Sequence, residues 1–156
     1  MSDLERWQAL KDGEKSALEQ IYRDHAAVLF KYGRKFIPDA QLVEDCIQDL
    51  FIELWEARQR VSATDSIRKY LFVSLRRKIV KTLDRQVKKI ASEEPEERHF
   101  QADFGIDQLL IQGELDAERD AKLKVAMAAL SERQREVLYL KYFADMDYTQ
   151  IGEIME

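Results

Sequence analysis

Apolar side chains between residues 16 and 36 recur at steps of three and four: Leu18, Ile21, Tyr22, His25 (a polar ring on the same line), Leu29, Tyr32 and Phe36. A helix brings positions three and four apart back to one face, so this spacing predicts a helix over Ser16–Phe36. Pro38 interrupts the pattern. Asp39 follows, with a carboxylate able to accept from the free N–H groups that open a helix. The next stripe is Val43, Cys46, Ile47, Leu50, Phe51, Leu54 and Trp55, and it predicts a second helix over Ala40–Arg58. Residues 59–66 are rich in turn and cap chemistry, with Ser62, Thr64, Asp65 and Ser66. Ile67, Leu71, Leu75, Ile79, Leu83, Val87 and Ile90 then predict a third helix, Ile67–Ile90. Three long amphipathic helices with short connections bury their stripes by packing as a bundle.

The pattern changes after Ile90. Residues 91–113 are acidic around Pro95 and poor in aliphatics, which predicts a linker. Phe100, Phe104, Leu109, Leu110 and Ile111 are its candidate anchors. Periodicity returns at Glu114, with a stripe of Leu115, Leu123, Val125, Ala126, Ala129 and Leu130. Ser131-Glu132-Arg133-Gln134 has the form of a capping box ahead of an apolar run, a specific signal for a helix start. That helix runs to Phe143. Ala144–Asp147 makes a turn, and Tyr148 begins another helix. The expected organisation is all-α: a helical domain over 1–90, a linker over 91–113, and a smaller helical segment over 114–156 that resembles the start of a helix-turn-helix.

Composition agrees. Pro38 and Pro95 are the only prolines and there are five glycines, too few breakers for a many-turned sheet. No apolar run reaches about 18 residues, so no membrane span is expected, and the opening residues lack the pattern of a secretory signal. Cys46 is the single cysteine, so no internal disulfide can form, which suits a reducing cytoplasm.

Charge adds what periodicity cannot. The chain carries a net −5, which argues against nucleic acid until the charges are placed. From Arg58 to Lys89 there are eleven lysines and arginines against Asp65 and Asp84 alone, whereas residues 92–120 hold ten acids against Arg98 and Arg119. A concentrated basic block can bind phosphate inside an acidic chain. Arg77, Lys81, Arg85 and Lys88 fall on one helical row, with Arg76 and Lys69 beside it. On the preceding helix, Glu44, Asp45, Gln48, Asp49 and Glu56 share a side with Ile52 among them. Two readings fit that side: a solvated face opposite a core stripe, or a docking surface whose carboxylates pair with the cations of a partner helix. Two readings also fit Tyr70 and Phe72, at the start of the basic helix: stacking on unpaired bases, or packing.

Catalytic chemistry is not indicated. His25 and His99 are far apart, His25 sits on an apolar stripe, and Cys46 reads as a buried thiol. Phosphate-loop, zinc-protease, CxxC and nucleophile-elbow motifs are absent from the sequence, so neither an enzyme nor a metal or cofactor is expected.

In this order, the parts resemble the sigma-70 family of RNA polymerase sigma factors. Val43-Glu44-Asp45 through Trp55 is similar to sigma region 2.2, matching at Asp45, Gln48, Phe51 and Trp55. Ile67-Arg68-Lys69-Tyr70-Leu71-Phe72 and the basic stretch after it resemble regions 2.3 and 2.4. Leu130-Ser131-Glu132-Arg133-Gln134-Arg135-Glu136-Val137-Leu138, with Tyr148-Thr149-Gln150-Ile151-Gly152-Glu153-Ile154, resembles region 4. The short linker without an intervening domain marks the extracytoplasmic-function group. The resemblance implies that Glu44, Asp45, Gln48, Asp49 and Ile52 dock on the β′ clamp of RNA polymerase core, while Phe51 and Trp55 hold that helix to the bundle. It implies that Arg58, Arg60, Ser62, Thr64, Arg68, Lys69, Tyr70, Arg76, Arg77, Lys81 and Arg85 contact promoter DNA at the minus-ten element. An anti-sigma factor, membrane-anchored in the usual case, is an implied regulator, and no small-molecule substrate is implied. The family commonly has asparagine where Arg77 stands. Its region 4 also continues into a second, groove-entering helix, and the sequence ends at Glu156 ahead of that helix. The competing expectation is a helical adaptor or helix-turn-helix regulator that does not bind core polymerase.

Overall fold

A computed structural model of the chain describes residues 1–89, Phe100 and residues 117–156. Seven helices and no strand occur among them: α1 Asp3–Lys11, α2 Lys15–Arg34, α3 Ala40–Ala57, α4 Ile67–Lys89, α5 Ala117–Ala128, α6 Glu132–Tyr142 and α7 Tyr148–Ile154. The chain divides into two compact units, one of Met1–Arg98 with Gly152–Glu156 and the other of His99–Ile151.

The first unit is built on α2, α3 and α4, each packed against the other two, with α1 against α2. Its core holds Ile21, Leu29 and Tyr32 of α2, Val43 of α3, and Ile67, Leu71, Leu75 and Ile79 of α4, none with measurable exposure. Burying one such side chain stabilises the fold by about 1.5–3 kcal/mol. Helix α3 begins where Asp39 predicted, its carboxylate accepting from the N–H groups of Gln41 at 3.0 Å and Leu42 at 3.4 Å. The backbones of α2 and α3 approach closely at Gly33, where a Cβ would meet Val43 Cγ1 at 2.6 Å. Phe36 lies beyond the end of α2 rather than within it, yet is buried and meets Tyr32 edge-on at 5.3 Å. Tyr22 departs from its expected place in the core, being 44% exposed. Cys46 is buried, its Sγ 3.6 Å from Thr82 Oγ1.

Helix α1 is an addition to the elements expected from periodicity. Ser2 and Glu5 form reciprocal capping bonds at its start, and Trp7 and Leu10 are wholly buried. Gly13, in the left-handed region at φ 90°, turns the chain from α1 into α2.

In the second unit the capping box at Ser131 is present, with both bonds formed: Gln134 N–H to Ser131 Oγ at 3.1 Å and Ser131 N–H to Gln134 Oε1 at 2.9 Å. Tyr139 and Leu140 of α6 are buried with Ala144, Met146 and Ile151. The turn between α6 and α7 passes through Asp145 at φ 58°, a left-handed conformation that aspartate tolerates better than most side chains. Asp147 then caps α7 through Gln150 N–H at 2.8 Å. The expected stripe of α5 needs correction. Val125 is 73% exposed and Ala126 and Ala129 are exposed, whereas Leu123, Met127 and Leu130 are half-buried. Leu123, Met127 and Leu130 are spaced by four and three, and Val125 points away from that face. Of the expected linker anchors, Phe100 is buried and meets Tyr139 edge-on at 5.6 Å. The rest of the 91–113 linker, with Phe104, Leu109, Leu110 and Ile111, lies outside the described residues, as does Ile90 at the expected end of the third helix.

Candidate docking face and nucleic-acid interface

Helix α3 has two faces with different chemistry. Val43, Cys46, Ile47, Leu50, Phe51 and Leu54 turn inward and are buried. Glu44, Asp45, Gln48, Asp49, Ile52 and Glu56 turn outward and are exposed, Ile52 at 56%. Asp45 accepts from Gln41 Nε2 at 3.0 Å, one turn earlier, which biases its rotamer without hiding the carboxylate. The edge of this face opens into a groove of about 400 Å³ lined by Tyr22, Ala26, Ala27 and Phe30 of α2 and by Glu44, Ile47 and Gln48 of α3. Tyr22 stands edge-on to Phe51 at 5.1 Å. Sequence reasoning missed the groove. A stripe names which residues leave water, but not where two neighbouring helices fail to close over one another.

Helix α4 repeats the arrangement with opposite charge. Leu71, Phe72, Leu75 and Ile79 are buried, while Arg77, Lys81 and Arg85 stand exposed along the outer row. Arg76 and Lys78 flank that row, half-buried. The side chain of Lys88, expected to extend the row, lies outside the described residues. Lys78 crosses to α3 and pairs with Glu53 at 2.7 Å, and Glu53 itself stays 65% exposed. The acidic and cationic faces are therefore neighbours on one bundle, each open to solvent. Near the start of α4, Lys69 pairs with Glu153, also of the first unit, at 2.7 Å. Arg68 is half-buried, and its Nε is buried with no hydrogen-bond partner.

Between the two helices, residues 58–66 form a loop. Arg58 turns back to α3: its guanidinium donates to the Trp55 carbonyl at 2.8 Å and lies 4.1 Å over the Trp55 ring. Thr64 Oγ1 donates to the Ser66 carbonyl at 3.1 Å and accepts from Ser66 N–H at 3.2 Å. Ser66 Oγ accepts from Lys69 N–H at 3.2 Å, opening α4. Arg60, Ser62, Ala63 and Asp65 project into solvent. The two aromatics separate. Phe72 is 1% exposed and lies 4.8 Å from Tyr32, a core residue. Tyr70 is half-buried at the rim, its ring 4.8 Å from Trp7.

Among the described residues no group of three or more His, Cys, Asp or Glu could hold a metal ion, and no helix is long and apolar enough to cross a membrane. Comparison with protein families gives two matches, to sigma-70 region 2 over residues 21–89 and to sigma-70 region 4 over residues 120–156. The chain belongs to the sigma-70 family. Pairing of these two regions is typical of extracytoplasmic-function sigma factors. Comparison with curated proteins gives no match. A sigma-70 region 2 and region 4 together support a role in promoter recognition, and they imply RNA polymerase core and promoter DNA as partners. The region 2 match takes in α3, the loop and α4, and so both charged faces. It begins within α2, leaving α1 ahead of it.

Proposed function

We propose that the protein is an extracytoplasmic-function sigma factor that binds RNA polymerase core through the outer face of α3 and recognises and melts the minus-ten element with α4 and the loop before it. The observation that carries this reading is the pair of oppositely charged, solvent-open faces on adjacent helices. Asp45, Asp49 and Glu44 offer carboxylates in helical register to the cations of the β′ clamp, with Gln48 as a further polar contact and Ile52 as the apolar contact among them. The groove beside Glu44 and Gln48 extends this face toward α2.

Arg77, Lys81 and Arg85, with Arg60, Lys69 and Arg76, neutralise backbone phosphate, while Arg68 and Tyr70 line the way from the loop to the helix. Ser62 and Thr64 belong to the loop that receives an extruded base. Arg58, stacked on Trp55, supplies charge at the loop's origin. Extruding a base costs a few kcal/mol, so a shaped loop with nearby cations is required. Binding energy to the unpaired strand drives melting, without nucleotide hydrolysis. In this reading residues 1–90 form the region 2 domain, 91–113 the linker and 114–156 the region 4 segment. The protein acts in the cytoplasm, and an anti-sigma factor, membrane-anchored in the usual arrangement, restrains it by covering these faces.

Capture of core polymerase by the purified chain tests the reading. Stable capture is expected; its absence would favour a helical adaptor or a simple helix-turn-helix regulator. With about four phosphates contacted on single-stranded DNA, log K falls with log salt at a slope of about −3, and a flat response would remove the basic helix from DNA binding.

A further inference from the structure

We infer that α1, ahead of the region 2 match, is a positioning element for the 58–66 loop, with Asp3 and Trp7 as its two points of attachment. The inference rests on the proposed role of that loop in receiving promoter DNA. Helix α1 and the turn after it approach the loop and its two junctions at three points. At the loop's origin, a Cβ built on Gly13, in the turn after α1, would be 3.9 Å from Arg58 Nε. Midway, the indole Nε1–H of Trp7 donates to the Ser62 carbonyl at 2.8 Å, across 55 residues of sequence. Where the loop enters α4, the backbone N–H of Ile67 donates to Asp3 Oδ2 at 3.0 Å, across 64 residues. Trp7 also meets Tyr70, in the first turn of α4.

These contacts have a common consequence. The Ser62 carbonyl is fixed while the Ser62 and Ala63 side chains remain exposed, so the loop's backbone is held and its outer surface is left for a ligand. A loop ordered before binding does not lose that conformational freedom when DNA arrives, and so binds more tightly and selectively. Helix α1 is itself anchored elsewhere. Trp7 and Leu10 are wholly buried, and Arg6 pairs with Asp24 of α2 at 2.9 Å. Thus α1 ties the loop to α2.

Three full-length variants test this: Trp7→Phe removes the indole donor and keeps an aromatic ring, Asp3→Ala removes the acceptor, and Asp3→Asn keeps one. Two quantities are measured. The first is amide hydrogen exchange of residues 59–66 against that of α2 and α3. The second, with the protein bound to core polymerase, is preference for a single strand selected from a randomised pool by the unmodified protein over a scrambled strand of equal length. Loss of one such hydrogen bond is expected to speed loop exchange and reduce the preference about fivefold in Trp7→Phe and Asp3→Ala, with α2 and α3 unchanged and Asp3→Asn close to the unmodified protein. A merely structural contribution would not move the preference of folded protein. Should Trp7→Phe fail to fold, the Asp3 pair carries the test. Unchanged preference in folded Asp3→Ala would overturn the inference, whether or not the loop exchanges faster. If the unmodified protein selects no strand, the reading of the loop and this inference fall together.

Discussion

Helices α3 and α4 solve the same packing problem and present opposite chemistry to water. Each buries an apolar stripe in one core: Val43, Ile47, Leu50 and Leu54 on one, Leu71, Phe72, Leu75 and Ile79 on the other. Outside that core they diverge, with Asp45, Asp49 and Ile52 facing solvent from α3 and Arg77, Lys81 and Arg85 from α4. If charge complementarity were spent inside the fold, these rows would face each other. They do not, and the Glu53–Lys78 pair that bridges the helices leaves Glu53 mostly exposed. The difference teaches that stability resides in the shared apolar layer, and that the outer charges are available to partners of opposite sign.

The largest expected effect falls on the shared layer. Phe72→Ala should lower stability by about 3–5 kcal/mol, read from the midpoint of urea unfolding, because it leaves a cavity against Tyr32. It should impair both faces together through loss of folded protein. A loss near zero would move Phe72 out of the core and return it to the surface chemistry of Tyr70. Next comes a change confined to one face. Asp45→Arg should weaken core polymerase binding by at least about 1–2 kcal/mol with the unfolding midpoint unchanged, since Asp45 is exposed and its local partner is Gln41. Undiminished core affinity in that folded variant would take the acidic face out of docking. The smallest effect is expected at the bridge. Glu53→Gln should cost less than about 0.5 kcal/mol in the same unfolding experiment, as exposed ion pairs do. A large loss there would mean that charge, not the apolar layer, holds α3 to α4.

Much of this comparison is legible in the sequence alone. The stripes of α3 and α4 follow helical period, Asp39 marks the first boundary, and the outward positions are those left when the stripe is removed. The start of α6 was equally legible, because a capping box is written within four consecutive residues. Other features were not. Helix α1 has nine residues and only two fully buried side chains, too short a stretch for periodicity to declare, although Ser2 and Glu5 carry the same capping signature as Ser131 and Gln134. The bonds from Trp7 to Ser62 and from Asp3 to Ile67 join residues far apart in sequence, and no local pattern encodes them. Tyr70 and Phe72 lie two positions apart, about 200° around a helix, so one had to face in and the other outward. Which was which depended on where α2 lay. Arg58 counted toward the basic block from sequence, whereas its guanidinium bonds and stacks back onto the end of α3.

A crossed affinity measurement tests the division of labour most directly. Two charge-reversed variants, Asp45→Arg/Asp49→Arg on α3 and Arg77→Glu/Lys81→Glu on α4, are each measured for binding to core polymerase and, once assembled with core at saturating concentration, to single-stranded promoter DNA. The first should lose core affinity and bind DNA normally when assembled; the second should bind core normally and lose the strand. If reversing either face impaired both bindings equally in folded protein, or if the α4 variant held DNA as well as the unmodified chain, the two helices would not divide the work.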